Sequence, residues 1–345
     1  MATILNRVNL SAMPQASHLS SPASAITHTP SQSRPVALRV GRAPRLGLIH
    51  NARARHNIGR DLPLVIAGCD RVIPQSLDEL RAVLASFVVR GIDTLIIDGG
   101  DGTVRDVMSI MARYFPRFRP RIAILPSGKT NALALDLGIP LRWTLKQAAD
   151  AIIDGHIAER APIEVWRDGA RQADLSGFIF GAGAFVRATQ TAQKAHQIGA
   201  FNGMAVGLSI AAAVGQTVFG KPDNVWRRGE DMRITLNTDR VIEGAQYLVL
   251  ASTLGRMPLG IKPFGRERTG LKLLRIEAPA SHVLQALPAI LGGAEWAWLR
   301  RAGYHREDAR HIDLSLANDF VLDGEIFPGG DLTLRPGAPI SFIVP

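Results

Sequence analysis

The chain has 345 residues, 46% hydrophobic and 20% charged, the make-up of an ordinary globular protein. That length suits two domains with their own cores, since single cores stop growing near about 250–300 residues. The formal charge of +10 is concentrated: residues 1–60 hold eight arginines and neither lysine nor acid, so the remaining 285 residues carry only +2 and the electrostatic case for nucleic-acid binding through the folded surface falls away.

Residues 1–42, rich in Ser, Pro, Ala, Thr and Gln and without a period, read as a disordered tail. Order begins with a strand at 46–50 that runs into Asn51-Ala52-Arg53-Ala54-Arg55, where basic residues either reach phosphates or face water. A second strand is expected at 62–67. Cys69 is the only cysteine, which excludes an intrachain disulfide and a cysteine-built zinc site and fits a reducing compartment. Ser76-Leu77-Asp78-Glu79 has the form of a capping box, and Leu77, Leu80, Val83, Leu84, Phe87 and Val88 make one helical face that stops at Gly91.

The stretch Asp93 to Thr103 organises this half. An apolar run ends in Gly99-Gly100-Asp101-Gly102-Thr103, and Val104, Val107, Met108, Met111 and Phe115 then recur at helical spacing, giving strand, tight loop, helix. Glycines there let a backbone approach a ligand, and the following helix presents its positive end to an anion, usually phosphate. Asp101 would repel bare phosphate, which suggests a cation or an acceptor hydroxyl beside it. The plainer reading is a turn with Asp101 or Thr103 as helix cap. A fourth strand at 121–125 leads to Pro126-Ser127-Gly128-Lys129-Thr130-Asn131 and a helix ending near Gly138; Gly-Lys-Thr is not a P-loop, because Ala123 stands where that motif needs a glycine. A helix over 141–154 follows. Alternating strands and helices predict a parallel α/β sheet over 43–158, with ligands at the carboxyl ends of its strands.

From Pro162 the pattern changes to short β runs at 163–166, 172–180, 232–236, 246–252, 270–276, 311–316 and 331–334, interrupted by helical stretches near 187–218 and 281–302. This predicts a β-rich sandwich or barrel over 159–345, its last strands able to return to the first domain. The run 201–220 is uncharged but diluted by polar residues and glycines, and reads as a buried or interfacial helix rather than a membrane span. Near the end, Phe320-Val321-Leu322-Asp323-Gly324-Glu325 reads either as a continuing strand with both acids on one face or as an exposed hairpin turn.

Taken together, Gly99 to Thr103, Leu125 to Asn131 with Leu137-Gly138-Ile139-Pro140, and Leu322 to Glu325 resemble the diacylglycerol kinase catalytic-domain family, which includes bacterial soluble lipid kinases and sphingosine kinases. Phosphofructokinases and NAD kinases carry similar first loops, and their parallel-sheet fold is expected for the first domain. The resemblance implies transfer of the γ-phosphoryl of ATP to a lipid hydroxyl in an interdomain cleft, with magnesium required. Carried over, Asn51, Gly99, Gly100, Gly102, Thr103, Gly128, Lys129, Thr130 and Asn131 would bind nucleotide. Asp101 would act on the phosphates through magnesium, Asp323 would be the general base, and Glu325 would support it or the metal. The enzyme would be cytoplasmic and peripheral to the membrane, with Val283 to Tyr304 as an interfacial helix and no nucleic-acid partner. The chain departs from the family where Lys129 replaces a threonine, Ala132 an aspartate and Arg105-Asp106 an Asn-Glu pair. These departures leave two alternatives: a catalytically impaired lipid- or nucleotide-binding protein, or a kinase of a soluble acceptor such as NAD.

Overall fold

The computed structural model describes residues 43–59, 68–197, 228–266, 268 and 270–345. The tail over 1–42, the strand expected at 62–67 and the helix expected over 201–220 lie outside them.

Six strands form the first sheet in the order β2-β1-β3-β4-β17-β5: β1 (Leu46–His50), β2 (Cys69–Val72), β3 (Thr94–Gly99), β4 (Arg121–Pro126), β5 (Ile157–Arg160) and β17 (Ile340–Ile343). The first four run parallel. Strands β1 and β3 are buried along their whole length, as expected of a sheet covered on both faces by helices. Helix α1 (Leu77–Arg90) starts at Ser76, whose side chain accepts from the Glu79 N–H, and stops at left-handed Gly91. The capping box is only half made, because the Glu79 carboxylate accepts from the Gln75 N–H instead, at 2.7 Å. Helix α2 (Asp101–Tyr114) follows β3, α3 (Ala132–Asp136) follows β4, and α4 (Leu145–Asp154) completes the layer. The expected start of α4 at 141 moves to 145 because Thr144 and Gln147 form a complete capping box there.

The second sheet is antiparallel and curls on itself. Its path is β15-β14-β8-β10-β9-β13-β16-β6-β7, with β11 and β12 branching from β10. These strands are β6 (Ile163–Arg167), β7 (Leu175–Gly177), β8 (Ile179–Gly183), β9 (Glu230–Leu236), β10 (Arg240–Ser252), β11 (Leu271–Glu277), β12 (Tyr304–Ala309), β13 (Ile312–Leu316), β14 (Phe320–Leu322), β15 (Glu325–Phe327) and β16 (Gly330–Pro336). The single strand expected over 172–180 is two, β7 and β8, and β12 was not anticipated. Helix α5 (Ala184–Gln197) follows β8 directly. The helical stretch expected over 281–302 is broken at Gly292-Gly293 into α6 (Val283–Leu291) and α7 (Ala297–Arg301).

Strand β17 joins the two halves. It comes from the end of the chain, yet lies in the first sheet, parallel to β4 and antiparallel to β5. Phe342 is fully buried and meets the Phe178 ring edge-on at 6.2 Å, so the segment between β7 and β8 shares the first sheet's core. Phe342→Ala is therefore expected to lower unfolding free energy by about 3–5 kcal/mol, read from urea denaturation; a loss below about 1 kcal/mol would show that β17 is not part of the cooperative core.

Candidate active site

Strands β1, β3 and β4 are neighbours, so the three loops that leave their carboxyl ends stand side by side. Their foundation is Asp98, buried at the end of β3. Its carboxylate takes His50 Nδ1 at 2.7 Å and accepts from Ser127 Oγ at 2.5 Å and Asn57 Nδ2 at 3.1 Å, which draws the β1 and β4 loops onto β3. Above it, Asn51 Nδ2 donates to Thr103 Oγ1 at 2.8 Å. Asp98, His50, Asn57 and Ser127 were not singled out by the sequence; the one signal available was an acid closing an otherwise apolar strand, costly unless satisfied.

The glycines have distinct jobs. A Cβ on Gly99 would fall 2.5 Å from Thr103 Oγ1, and one on Gly128 would fall 2.4 Å from the Gly100 Cα, so Gly100 and Gly128 hold the two loops backbone against backbone. A Cβ on Gly102 would meet nothing nearer than 3.8 Å. Gly102 instead leaves the first turn of α2 open to a ligand, at the pole where free N–H groups and the helix dipole favour anions.

Asp101 does not face outward. Its oxygens accept from the Ala132 N–H at 3.0 Å and the Leu133 N–H at 3.3 Å, capping α3 and tying the second loop to the first. Burial pushes its pKa up, against the downward pull of those backbone bonds. The role expected for it through magnesium thus meets a carboxylate already engaged, and no cluster of three or more His, Cys, Asp or Glu side chains suited to a metal occurs among the described residues. Asn131, in the left-handed region that Asn tolerates, accepts from the Gly128 N–H at 3.0 Å and donates to the Gly128 carbonyl at 3.2 Å, so it shapes the loop from within.

Strand β14 does not continue through the late acidic motif. Asp323 and Gly324 have φ of +47° and +81°, and Leu322 pairs with Glu325, which makes a two-residue hairpin turn of the kind Asp-Gly favours. The reading in which Asp323 and Glu325 share one strand face is corrected on that ground. Asp323 folds back under the sheet, accepting from the Ile179 N–H at 2.9 Å and the Phe178 N–H at 3.0 Å. Its carboxyl is pushed up to about 7, first by burial and then by the charge of Asp101, against the pull of those N–H groups and of Arg105.

These parts surround an open cleft of about 700 Å³. Of the residues expected at the site, Asn51, Gly100, Gly102, Thr103, Gly128, Lys129 and Glu325 line it, whereas Gly99, Asp101, Thr130, Asn131 and Asp323 stand outside its lining. Arg105 and Asp106, which the sequence marked only as a departure from the family pattern, also line it, together with Arg53 and Arg55. Four cations against two acids suit a polyanionic ligand such as a nucleotide's phosphates.

Residues 68–165 match the diacylglycerol kinase catalytic domain. A Pseudomonas aeruginosa (PAO1) protein named "Probable lipid kinase YegS-like" is 26% identical over 299 residues, 83% of this chain and 85% of its own. A diacylglycerol kinase of Mycobacterium tuberculosis (H37Rv) is 30% identical over 105 residues, 30% of this chain and 29% of its own. The crystal structure of a diacylglycerol kinase from Bacillus anthracis superposes with a TM-score of 0.58 over 87% of this chain and 97% of that one, at 16% identity, which shows the shared fold.

Gly128→Ala is expected to cost about 1–3 kcal/mol, seen as a fall of several degrees in melting temperature. Gly102→Ala should leave the melting temperature unchanged or slightly raised while weakening binding of an ATP analogue. Equal melting temperatures for wild type and Gly128→Ala would show that the loops can separate freely.

Proposed function

We propose that this chain, a kinase by the diacylglycerol kinase catalytic domain at residues 68–165, transfers the γ-phosphoryl of ATP to the hydroxyl of a diacylglycerol-like or sphingoid lipid. The observation that carries the reading is the hairpin at Asp323: it holds a buried carboxyl, pushed up to about 7, where it feels the charges of Asp101 and of Arg105, and Arg105 lines a cleft together with three other cationic side chains. A general base is most effective when its pKa lies near the working pH.

Phosphoryl transfer asks mainly for positioning and charge neutralisation. Gly100, Gly102 and Gly128 let the phosphates approach the backbone, Thr103 and Asn51 offer hydrogen bonds, and Lys129, Arg53 and Arg55 offset the charge. The lipid hydroxyl oxygen bonds to the γ-phosphorus, the bond from that phosphorus to the β–γ bridging oxygen breaks with its electron pair leaving on ADP, and the hydroxyl proton passes to Asp323. Magnesium would arrive on the phosphates of ATP and would supply charge neutralisation there.

No helix among the described residues is long and apolar enough to cross a membrane. In this reading the chain meets its lipid at a membrane surface, through α6 and α7. Leu284 and Trp296 are each 58% exposed, and Arg300 and Arg301 follow them. Trp298, stacked on Trp296, is only partly exposed, and Ile290 is buried, so the apolar surface is narrower than the sequence implied.

In mixed micelles, labelled γ-phosphate is expected to pass from ATP to lipid, with the rate rising as pH rises through about 7. Asp323→Asn should lower it by about 10²–10⁴-fold and flatten the pH profile. Transfer to NAD without lipid would establish the soluble-acceptor alternative, and ATP binding without turnover on any acceptor the impaired one. Co-sedimentation with anionic liposomes should fall on combined Leu284→Ser and Trp296→Ala substitution; unchanged binding removes the proposed membrane contact.

A further inference from the structure

We propose that Arg105 is a catalytic residue of this transfer, contacting the moving phosphoryl group and fixing its position relative to Asp323. The inference rests on the kinase reading above and adds a residue to it.

Arg105 lines the cleft, yet it is only 6% exposed. Its guanidinium is held on three sides. Nε and Nη2 donate to one oxygen of Asp106 at 3.2 and 2.7 Å, Nη1 donates to the Leu322 carbonyl at 3.3 Å, and the group lies 5.3 Å from the centre of the Phe327 ring. Among the described residues, these bonds use three of the five N–H donors that a guanidinium carries, leaving one on each terminal nitrogen. An arginine fixed this way has given up much of its rotamer freedom before any ligand arrives, so little is lost when the remaining donors meet an anion.

Its position is as telling as its rigidity. A Cβ on Gly102 would lie 3.8 Å from Nη2 and 3.9 Å from Nη1, so the guanidinium stands over the open first turn of α2. Two features that attract an anion, the helix pole and a planar cation, therefore converge on one spot. Lys129 and Arg53 also line the cleft but are exposed side chains, suited to supplying charge rather than to fixing a phosphate's position. Arg105 also reaches the other half of the site. Leu322, whose carbonyl it holds, is the last residue of β14 and immediately precedes Asp323. The same side chain thus spans the phosphate-binding turn and the strand that ends at the base. During transfer, the charge spread over the equatorial oxygens of the phosphoryl group is what its two remaining N–H groups would neutralise.

The test combines transfer to lipid in mixed micelles with calorimetric binding of ATP and ADP, on the full chain. Arg105→Lys is expected to lower kcat by about 10³-fold, to erase the preference for ATP over ADP, and to bind ADP as the wild type does. Guanidinium ion at millimolar concentration is expected to restore part of the activity of Arg105→Ala. Should these variants fail to fold, Phe327→Leu removes the ring beside the guanidinium, which also stacks on Phe320, while keeping an apolar side chain against the core, and a several-fold loss of kcat with unchanged ADP binding and unchanged melting temperature is expected. Wild-type kcat and ATP preference in Arg105→Lys, or unchanged kcat in Phe327→Leu where that variant is the one measured, would overturn the proposal while leaving the kinase reading intact. A wild type that binds no ATP overturns both.

Discussion

Gly100 and Gly128 meet with no side chain between them, and the site depends on that contact. A methyl group on either would lie within 2.7 Å of the other's Cα. Because the loops touch through backbone alone, they can be pinned from below and behind. Asp98 gathers His50, Asn57 and Ser127 beneath them, and Asp101 reaches across to the first N–H groups of α3. A loop made rigid in this way keeps its outward N–H groups and the first turn of α2 ready for a ligand, with little ordering left to do on binding.

The second half of the chain supplies a further acid, Asp323, whose carboxyl feels the charges of both Asp101 and Arg105 of the first half. It does so through a hairpin whose turn residue is bound to the backbone of the Phe178–Ile179 segment and whose preceding carbonyl is held by Arg105 from α2. Phe178 in turn packs on Phe342 of β17, inside the first sheet's core. The acid at 323, the cation at 105 and the last strand of the chain are therefore parts of one packed body, so their relative positions are set by core packing rather than by flexible connections.

Much of this was readable in advance. The parallel α/β half follows from apolar runs alternating with helical periods, and Ser76 and Gly91 mark the ends of α1 as their chemistry requires. The β-rich half was legible as a class, but not strand by strand. Strand β12 reads Tyr-His-Arg-Glu-Asp-Ala, which looks like a loop. Among the described residues it pairs only with β11, where an edge strand tolerates charge, and its Arg306 and Glu307 are satisfied by carbonyls and arginines brought from elsewhere. No period in the sequence carries that information.

By itself the sequence determined which residue types gather at the carboxyl ends of β1, β3 and β4, because glycine, asparagine and an acid after an apolar strand are local requirements of turns and helix starts. The tertiary structure alone decided what each of them faces. Asp101 caps α3, Asn131 closes its own loop, Arg105 turns into the cleft, and Asp323 sits in a turn with its carboxyl shifted to about 7. A side chain's direction and its desolvation depend on residues far away in the chain, and only packing brings those residues together.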